Sequence, residues 1–526
     1  MTTQSILKLS LKSSLWLIST ALLCAPQSPW ATPTVTPALE EVAPSVGQPE
    51  EGAPQLLILT GLHGYIEPCG CTIDLTLGSL ERLVLEIKTL KAKGPTALLV
   101  AGGHLFEREE LPSHRHAQDG AKAKLLREVL SELEVDALMP HAIDLALGES
   151  FYRSLSSERP LRDPTVNIEG GQPLLLTLGE LKVGVIGLGA EGSPHPEGKR
   201  HLAPKPAAEA AAALLRAQGA QLVIALGSSP RAELRALAEQ LEGIELWALA
   251  EGADELKSLS PVSGGRYLIE AGDRGRNLAT LTLIEAGAEG PLTDPVGDHE
   301  RKIKELSLRL KMRSRFGGFG AGAAQTQQLQ SELAALRAAP PKAEGKRVLY
   351  ELKPITAELP ADPSTEEQVK RYQASLRELN LKSAGQPVPL PEGGAGYAKI
   401  SECGLCHDAA KTFWEGTAHA RAWETLERAE KTFDVECVSC HVTGFQAPGG
   451  SALGHTAGFE DVQCEACHGP SAKHAEVGGG ESGTRLKVGE EVCVTCHNSL
   501  HSPSFSYPEY IKKIIGPGHG APVEDP

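Results

Sequence analysis

Methionine is scarce in this chain. It occurs three times in 526 residues, at Met1, Met139 and Met312, so no thioether is available as a metal ligand beyond position 312. Basic charge is also short: 51 lysines and arginines against 67 aspartates and glutamates leave a net charge of −16. A nucleic-acid partner would need a basic surface, and this balance argues against one. Long apolar runs are missing too. After Leu23 no stretch reaches the roughly 18 uninterrupted apolar residues that a bilayer-spanning helix requires. Aromatics make up only 4% while apolar residues together make up 41%, the composition of a soluble globular protein. The length is too great for one compact core, so two or three domains are expected.

The N-terminus carries a short apolar run, Leu15 to Leu23, after Lys8 and Lys12. That pattern predicts a signal peptide over residues 1–31 and a periplasmic or secreted protein, with cleavage near Ala31, although Pro29 and Trp30 make a poor site. Cys24 raises a lipid anchor, against which Leu22 and Leu23 stand where small residues are expected. Membrane association is therefore expected only through a partner or that anchor. Residues 32–54, rich in Pro, Thr, Ala and Glu, read as a disordered linker.

From 55 to 290 short apolar runs alternate with helical patterns. Leu56–Thr60, Thr96–Ala101, Lys182–Gly187, Leu222–Leu226 and Leu281–Ile284 read as buried strands. Gly78–Lys91, Ala121–Leu133, Ala207–Gln218 and Arg231–Leu241 read as helices between them. This order predicts a layered α/β domain. Residues 291–395 read as a helical spacer and linker, with two charged helices split by Gly317 to Gly322 and one more helix at Thr365–Leu379.

After Ala398 the chain changes character. Four CxxCH motifs follow one another: Cys403, Cys406 and His407; Cys437, Cys440 and His441; Cys464, Cys467 and His468; Cys493, Cys496 and His497. They use eight of the eleven cysteines. In each, two thiols are spaced for thioether bonds to the haem vinyl groups, and the adjacent histidine is placed as an iron ligand. A single CxxCH could be a chance match, a disulfide or half a zinc site. A cysteine-rich zinc domain, however, has no need of a histidine after every pair. The repetition therefore predicts four covalently bound haem c groups in a tetrahaem domain over 396–526.

The second iron ligand follows partly by elimination. No methionine lies in this region, which disfavours the Met/His ligation that raises haem potential. Nine histidines occur beyond Ala398, and four are already used. His419, His455, His474, His501 and His519 remain, so mostly bis-His, low-potential haems are expected. About 120 residues around four porphyrins cannot build an ordinary core, so the domain is expected to be loop-rich, with short helices, and unfolded without haem.

Three stretches resemble the tetrahaem cytochrome c family of the hydroxylamine-linked type: Trp414 to Ala420 around His419, Val462 to Pro470 followed by His474, and His441 to Phe445. The resemblance spans about Gly396 to His519. It implies His419 and His474 as ligands crossing to haems of other motifs, electron transfer between redox partners in the periplasm, and room for one five-coordinate haem. Leu57 to Gly64, Ala101 to His104, Lys182 to Gly187 and Gly219 to Ser228 resemble the metallophosphoesterase/5′-nucleotidase family, which implies a two-metal phosphoesterase site. This chain departs from that pattern at the ligands. Gly61 and Gly103 stand where aspartates are expected, Pro140 where an asparagine is, and Ser228 where a histidine is. No histidine occurs near Ala250–Gly252, and only His63 and His141 keep ligand chemistry, so loss of activity is expected.

Cys69 and Cys71 are expected to form a disulfide, to be reactive thiolates, or to be inert. His114 and His116 read as surface residues. Together these readings point to an electron carrier whose α/β domain is a docking scaffold. The alternatives are a haem enzyme acting on a small nitrogen compound at a five-coordinate haem, and a metal-dependent phosphohydrolase.

Overall fold

The computed structural model describes residues 52–519 except 69–76, 156–160, 251–258, 317–322, 340, 342–344, 385, 480–483, 499–500 and 503. The expected signal peptide, Cys24, most of the expected 32–54 linker, Cys69, Cys71, Gly252 and the Gly317–Gly322 stretch lie outside the described residues.

Two sheets are stacked over a shared core. In the first, the strands run in the order Arg347–Pro354, Asn277–Ile284, Gln55–Thr60, Thr96–Ala101, Ala137–Leu138. Gln55–Thr60 is parallel to Thr96–Ala101 and antiparallel to Asn277–Ile284. The second sheet runs Ser260–Pro261, Tyr267–Ile269, Leu246–Leu249, Leu222–Gly227, Leu181–Leu188, Leu174–Leu178. Leu56, Ile58 and Leu99 of the first sheet meet Val183, Ile224 and Leu246 of the second in one fully buried cluster. Helices cover both outer faces, giving four layers. Leu80–Lys91, His116–Glu132 and Pro363–Ser383 cover the first sheet, and Pro204–Ala217 and Arg231–Gln240 cover the second. Strands buried on both faces need apolar residues at every position, which is why TALLVA and LVIALG run unbroken.

The helices are built to lie on such a surface. Leu80–Lys91 buries Leu80, Leu83, Val84 and Ile87, a single stripe at helical spacing. The Ser79 hydroxyl accepts from the Arg82 amide at its start, and Lys88 and Lys91 occupy the last turn, where the helix dipole favours cations.

Residues 291–395 depart from the expected spacer. Arg347–Pro354 adds an antiparallel edge strand along the whole of Asn277–Ile284. Pro363–Ser383, capped by Asp362, buries Val369, Tyr372 and Leu376 against the first sheet's helices. The α/β domain therefore continues past Gly290. Without these two elements the sheet edge and the Leu80–Lys91 and His116–Glu132 helices would present uncovered apolar surface. Pro295–Phe316 and Ala323–Ala338 do form a separate helical pair, with Lys302 Nζ 4.0 Å from Glu332 Oε1.

The C-terminal region is made of short helices, among them Asp408–Glu415, Ala422–Arg428, Val435–His441, Cys464–His468 and Ala472–Val477. One apolar cluster stands out there, formed by Leu426, Val435, Val438, Val442 and Leu453. No described helix is long and apolar enough to cross a membrane.

Leu376→Ala tests the extended domain. Removing this buried side chain is expected to cost about 2–4 kcal/mol, read as a lower urea midpoint by far-UV circular dichroism. An unchanged midpoint would return 291–395 to the status of a spacer.

Candidate functional site

Each CxxCH motif occupies about one turn of helix. The His407 amide donates to the Cys403 carbonyl at 2.9 Å, and the His497 amide to that of Cys493 at 2.8 Å. The second and third motifs lie within Val435–His441 and Cys464–His468. A helical turn sets the imidazole beside the first thiol of its own motif. The motifs also meet in pairs: the Cys403 thiol lies beside that of Cys464, and the Cys440 thiol beside that of Cys496.

Side chains around the third motif tie the first in place. Glu465 Oε1 accepts from the Ala398 amide at 3.0 Å and the Ser471 amide at 2.6 Å. Gln463 Oε1 accepts from the Ile400 amide at 3.0 Å. Trp414 Nε1 donates to the Val462 carbonyl at 2.8 Å, and the Val462 amide donates to the His419 carbonyl at 3.1 Å. These bonds hold the His419 segment against the third motif.

The imidazoles show whether iron would fit. The His407 and His474 ring centres are 6.2 Å apart, as are those of His419 and His497. Metal–nitrogen bonds of about 2 Å on each side, with about 1 Å from nitrogen to ring centre, put two imidazoles facing across one metal about 6 Å apart. Both spacings match that figure. His474 Nδ1 is buried with no hydrogen-bond partner. Burial and the neighbouring His497 push the His419 pKa down, and burial does the same at His497, which favours the neutral, ligating form. His441 Nδ1 donates to the Ala422 carbonyl at 2.6 Å, and His468 Nδ1 to the Arg485 carbonyl at 2.7 Å. A proton held at Nδ1 leaves Nε2 open to metal. The residues therefore fit haem iron.

The remaining expected ligands are placed differently. His455 is exposed in a turn closed by its own amide on the Ala452 carbonyl, and makes no ring contact with a motif histidine. His501 lies beside Cys496, and His519 packs edge-on against Phe413. His114 corrects an expectation: it is half-buried, not surface-lying, with its ring edge-on to Phe445 at 5.4 Å. His116 is exposed and donates from Nε2 to the Leu111 carbonyl.

In the α/β domain the space for metal-binding carboxylates is filled. A Cβ at Gly61 would lie 2.7 Å from His63 Nε2, and one at Gly103 would lie 3.2 Å from the Ile143 Cβ and 3.5 Å from His63 Nδ1. Ser228 Oγ accepts from the Ala190 amide. His141 caps a 3₁₀ turn, its Nδ1 accepting from the Ile143 amide. Asp144, which sequence reasoning passed over, is the organising residue. Its buried carboxylate accepts from the amides of His104, Leu105 and His141 and lies 2.8 Å from His104 Nδ1. No group of three or more potential metal ligands occurs among the described residues.

Comparison with known proteins gives the C-terminal region its family. Residues 402–469 match the family described as cytochrome c554 and c-prime. This segment is similar to the cytochromes c of that family. It holds three of the four CxxCH motifs, with Cys493, Cys496 and His497 beyond it. The chain is 36% identical over 85 residues to cytochrome c-554 of Nitrosomonas europaea, a match covering 13% of this chain and 36% of that protein. The chain thus spans about a third of that relative's length. The likeness implies covalently bound haem c. Among solved structures, the chain is similar to a 5′-nucleotidase precursor of Thermus thermophilus, at 15% identity and a TM-score of 0.44, covering 62% of this chain and 59% of that one. It is similar as well to the sulfate thiohydrolase SoxB of the same organism, at 14% identity and a TM-score of 0.44, covering 78% and 74%.

Asp144 gives a pH prediction. Burial would raise its pKa, but His104 and the amides of Leu105 and His141 outweigh burial and hold it below the usual carboxylate value. Its contribution is thus complete above the unfolded Asp value of about 4 and is lost as pH falls through the folded value. Asp144→Asn is expected to lower the urea midpoint at neutral pH and to flatten its fall between about pH 4 and pH 2. An unaltered acid limb would show that Asp144 does not carry it.

Proposed function

We propose that this chain is an exported multihaem c-type cytochrome that passes electrons through four covalently held, mostly bis-His haems to redox proteins of the cell envelope, with an inactive phosphoesterase-like domain as scaffold. The observation that carries this reading is the pair of neighbouring imidazole couples, His407 with His474 and His419 with His497, each with ring centres 6.2 Å apart. When bound, haem supplies a one-electron iron couple. The chain's own part is to hold position. Cys403 and Cys406, with the other three thiol pairs, offer the attachment sulfurs. Carbonyls of Ala422 and Arg485 keep the protons of His441 and His468 on Nδ1. Cys403 lies beside Cys464 and Cys440 beside Cys496, which places the first motif next to the third and the second next to the fourth. At the His407 and His497 motifs, an imidazole on each side of a metal would leave no site for a substrate, which there favours a carrier over an enzyme.

Haem content and spin state test this. Pyridine haemochrome assay of the purified full-length chain is expected to give four haems, and His474→Ala to convert one low-spin signal to high-spin by EPR. Fewer than four haems, or an unchanged spectrum in the variant, would overturn the reading. The haem-enzyme alternative draws on one observation: His441 and His468 make no ring contact with a second histidine among the described residues. Cyanide binding to the wild-type protein would favour it.

The scaffold reading rests on the Gly61 and Gly103 positions, where no carboxylate can enter without displacing His63 or Ile143. Purified protein with added Mn²⁺ is expected to release no phosphate from nucleoside monophosphates above a protein-free control. Turnover at ordinary enzymatic rates would reinstate the hydrolase.

A further inference from the structure

The helix that carries the second haem motif is gripped at its first turn by the α/β domain. Glu436, the residue before Cys437, accepts from Arg115 Nη2 at 2.5 Å and Lys122 Nζ at 2.7 Å. Asp434, the N-cap of Val435–His441, accepts from Gln118 Nε2 at 2.6 Å. Gln118 Oε1 in turn accepts from the Val435 amide at 3.1 Å and from Asn380 Nδ2 at 2.6 Å. Arg115 is itself fixed, 2.9 Å from Asp119 and 3.0 Å from Glu107. Gln118, Asp119 and Lys122 are all buried. Five residues of helix, about 7.5 Å of rise, separate Glu436 from His441.

The motifs are not equivalent in this respect. The residue after the first cysteine is buried in the second motif, at Val438, and in the third, at Glu465, whereas Val494 of the fourth is 40% exposed. Val438 packs in the C-terminal apolar cluster, and the second motif is tied to the α/β layers through Asp434, Val435 and Glu436. Arg115 and Lys122 are largely covered while the Glu436 side chain is 32% exposed, so these charges act partly through protein and are only partly screened. Reduction adds one electron to the iron and makes or breaks no bond. A carboxylate left uncompensated nearby opposes that electron, and an uncompensated cation favours it.

Resting on the haem-carrying reading above, we propose that the α/β domain is part of the second haem site: Arg115 and Lys122 act as positioning residues that orient the Cys437–His441 motif and, by neutralising Glu436, hold up the potential of the haem attached there. The scaffold is thus an electrostatic wall of the electron path. Burial would raise the Glu436 pKa, but Lys122 and Arg115 prevail and keep it ionised, consistent with a permanent pair.

The test is a redox titration of the full-length, haem-loaded protein by visible absorbance at pH 8. Lys122→Met is expected to shift one midpoint potential down and leave the others in place. Glu436→Gln is expected to shift the same one up, the double variant to return it near wild type, and Lys122→Arg to restore it. Loss of packing alone would not give opposite signs. Unmoved potentials, shifts of the same sign in both variants, or shifts spread over all haems would overturn the proposal. If Lys122→Met costs haem, Glu436→Gln against Lys122→Arg decides. Haem is counted on the same samples: a wild-type chain without haem c overturns the function itself, whereas a loaded chain with unmoved potentials overturns only this inference.

Discussion

A haem attachment motif is about one turn of helix, and one turn of helix does not hold itself together in water. The C-terminal part of this structure follows from that constraint. Each CxxCH unit must borrow its rigidity from outside. The first takes it from Gln463 and Glu465, which accept from the amides of Ile400 and Ala398. The second takes it from Asp434 and Glu436, held by Gln118, Arg115 and Lys122 of the other domain. The third is steadied by the exchange between His468 and Arg485, each bonding the other's backbone. The His407 and His474 rings, 6.2 Å apart, bring together segments more than sixty residues apart in the chain.

The α/β domain is closely packed around Gly61 and Gly103. Gly61 and Gly103 did not leave a hollow; the His63 ring and Ile143 occupy the space. Close packing makes an empty polar cavity costly, so loss of charge and loss of volume go together. The same domain keeps its four layers and a buried ionic cluster at its outer face. Breaking one partner of such a cluster leaves a buried charge uncompensated, which is far more costly than the pair is favourable. The contact with the second motif is correspondingly hard to lose piecemeal.

The haem motifs were legible because CxxCH is a local pattern: its chemistry depends on residues adjacent in sequence. The core strands were legible for a similar reason, since burial on both faces writes an unbroken apolar run. Elements whose role depends on distant partners were not. Arg347–Pro354 mixes apolar and charged residues like any edge strand, and only the exposed edge of Asn277–Ile284 makes it part of a sheet. Asp434 and Glu436 look like solvated charges until Gln118, Arg115 and Lys122 are seen opposite. His114 looked like surface until Phe445 was placed against it.

The ligand pairing marks the dividing line. Composition alone removed methionine as an iron ligand and left five histidines for the second positions. Which histidine lies beside which is a matter of three-dimensional approach between loops. His474 lies beside His407 and His419 beside His497, while His455 turns out to solvent. Sequence by itself therefore determined the cofactor chemistry, because thiol and imidazole spacing is covalent and short-range. Tertiary structure decided which histidine rings neighbour one another and joined the second motif to the neighbouring domain, because both depend on side chains that meet only after the chain has folded.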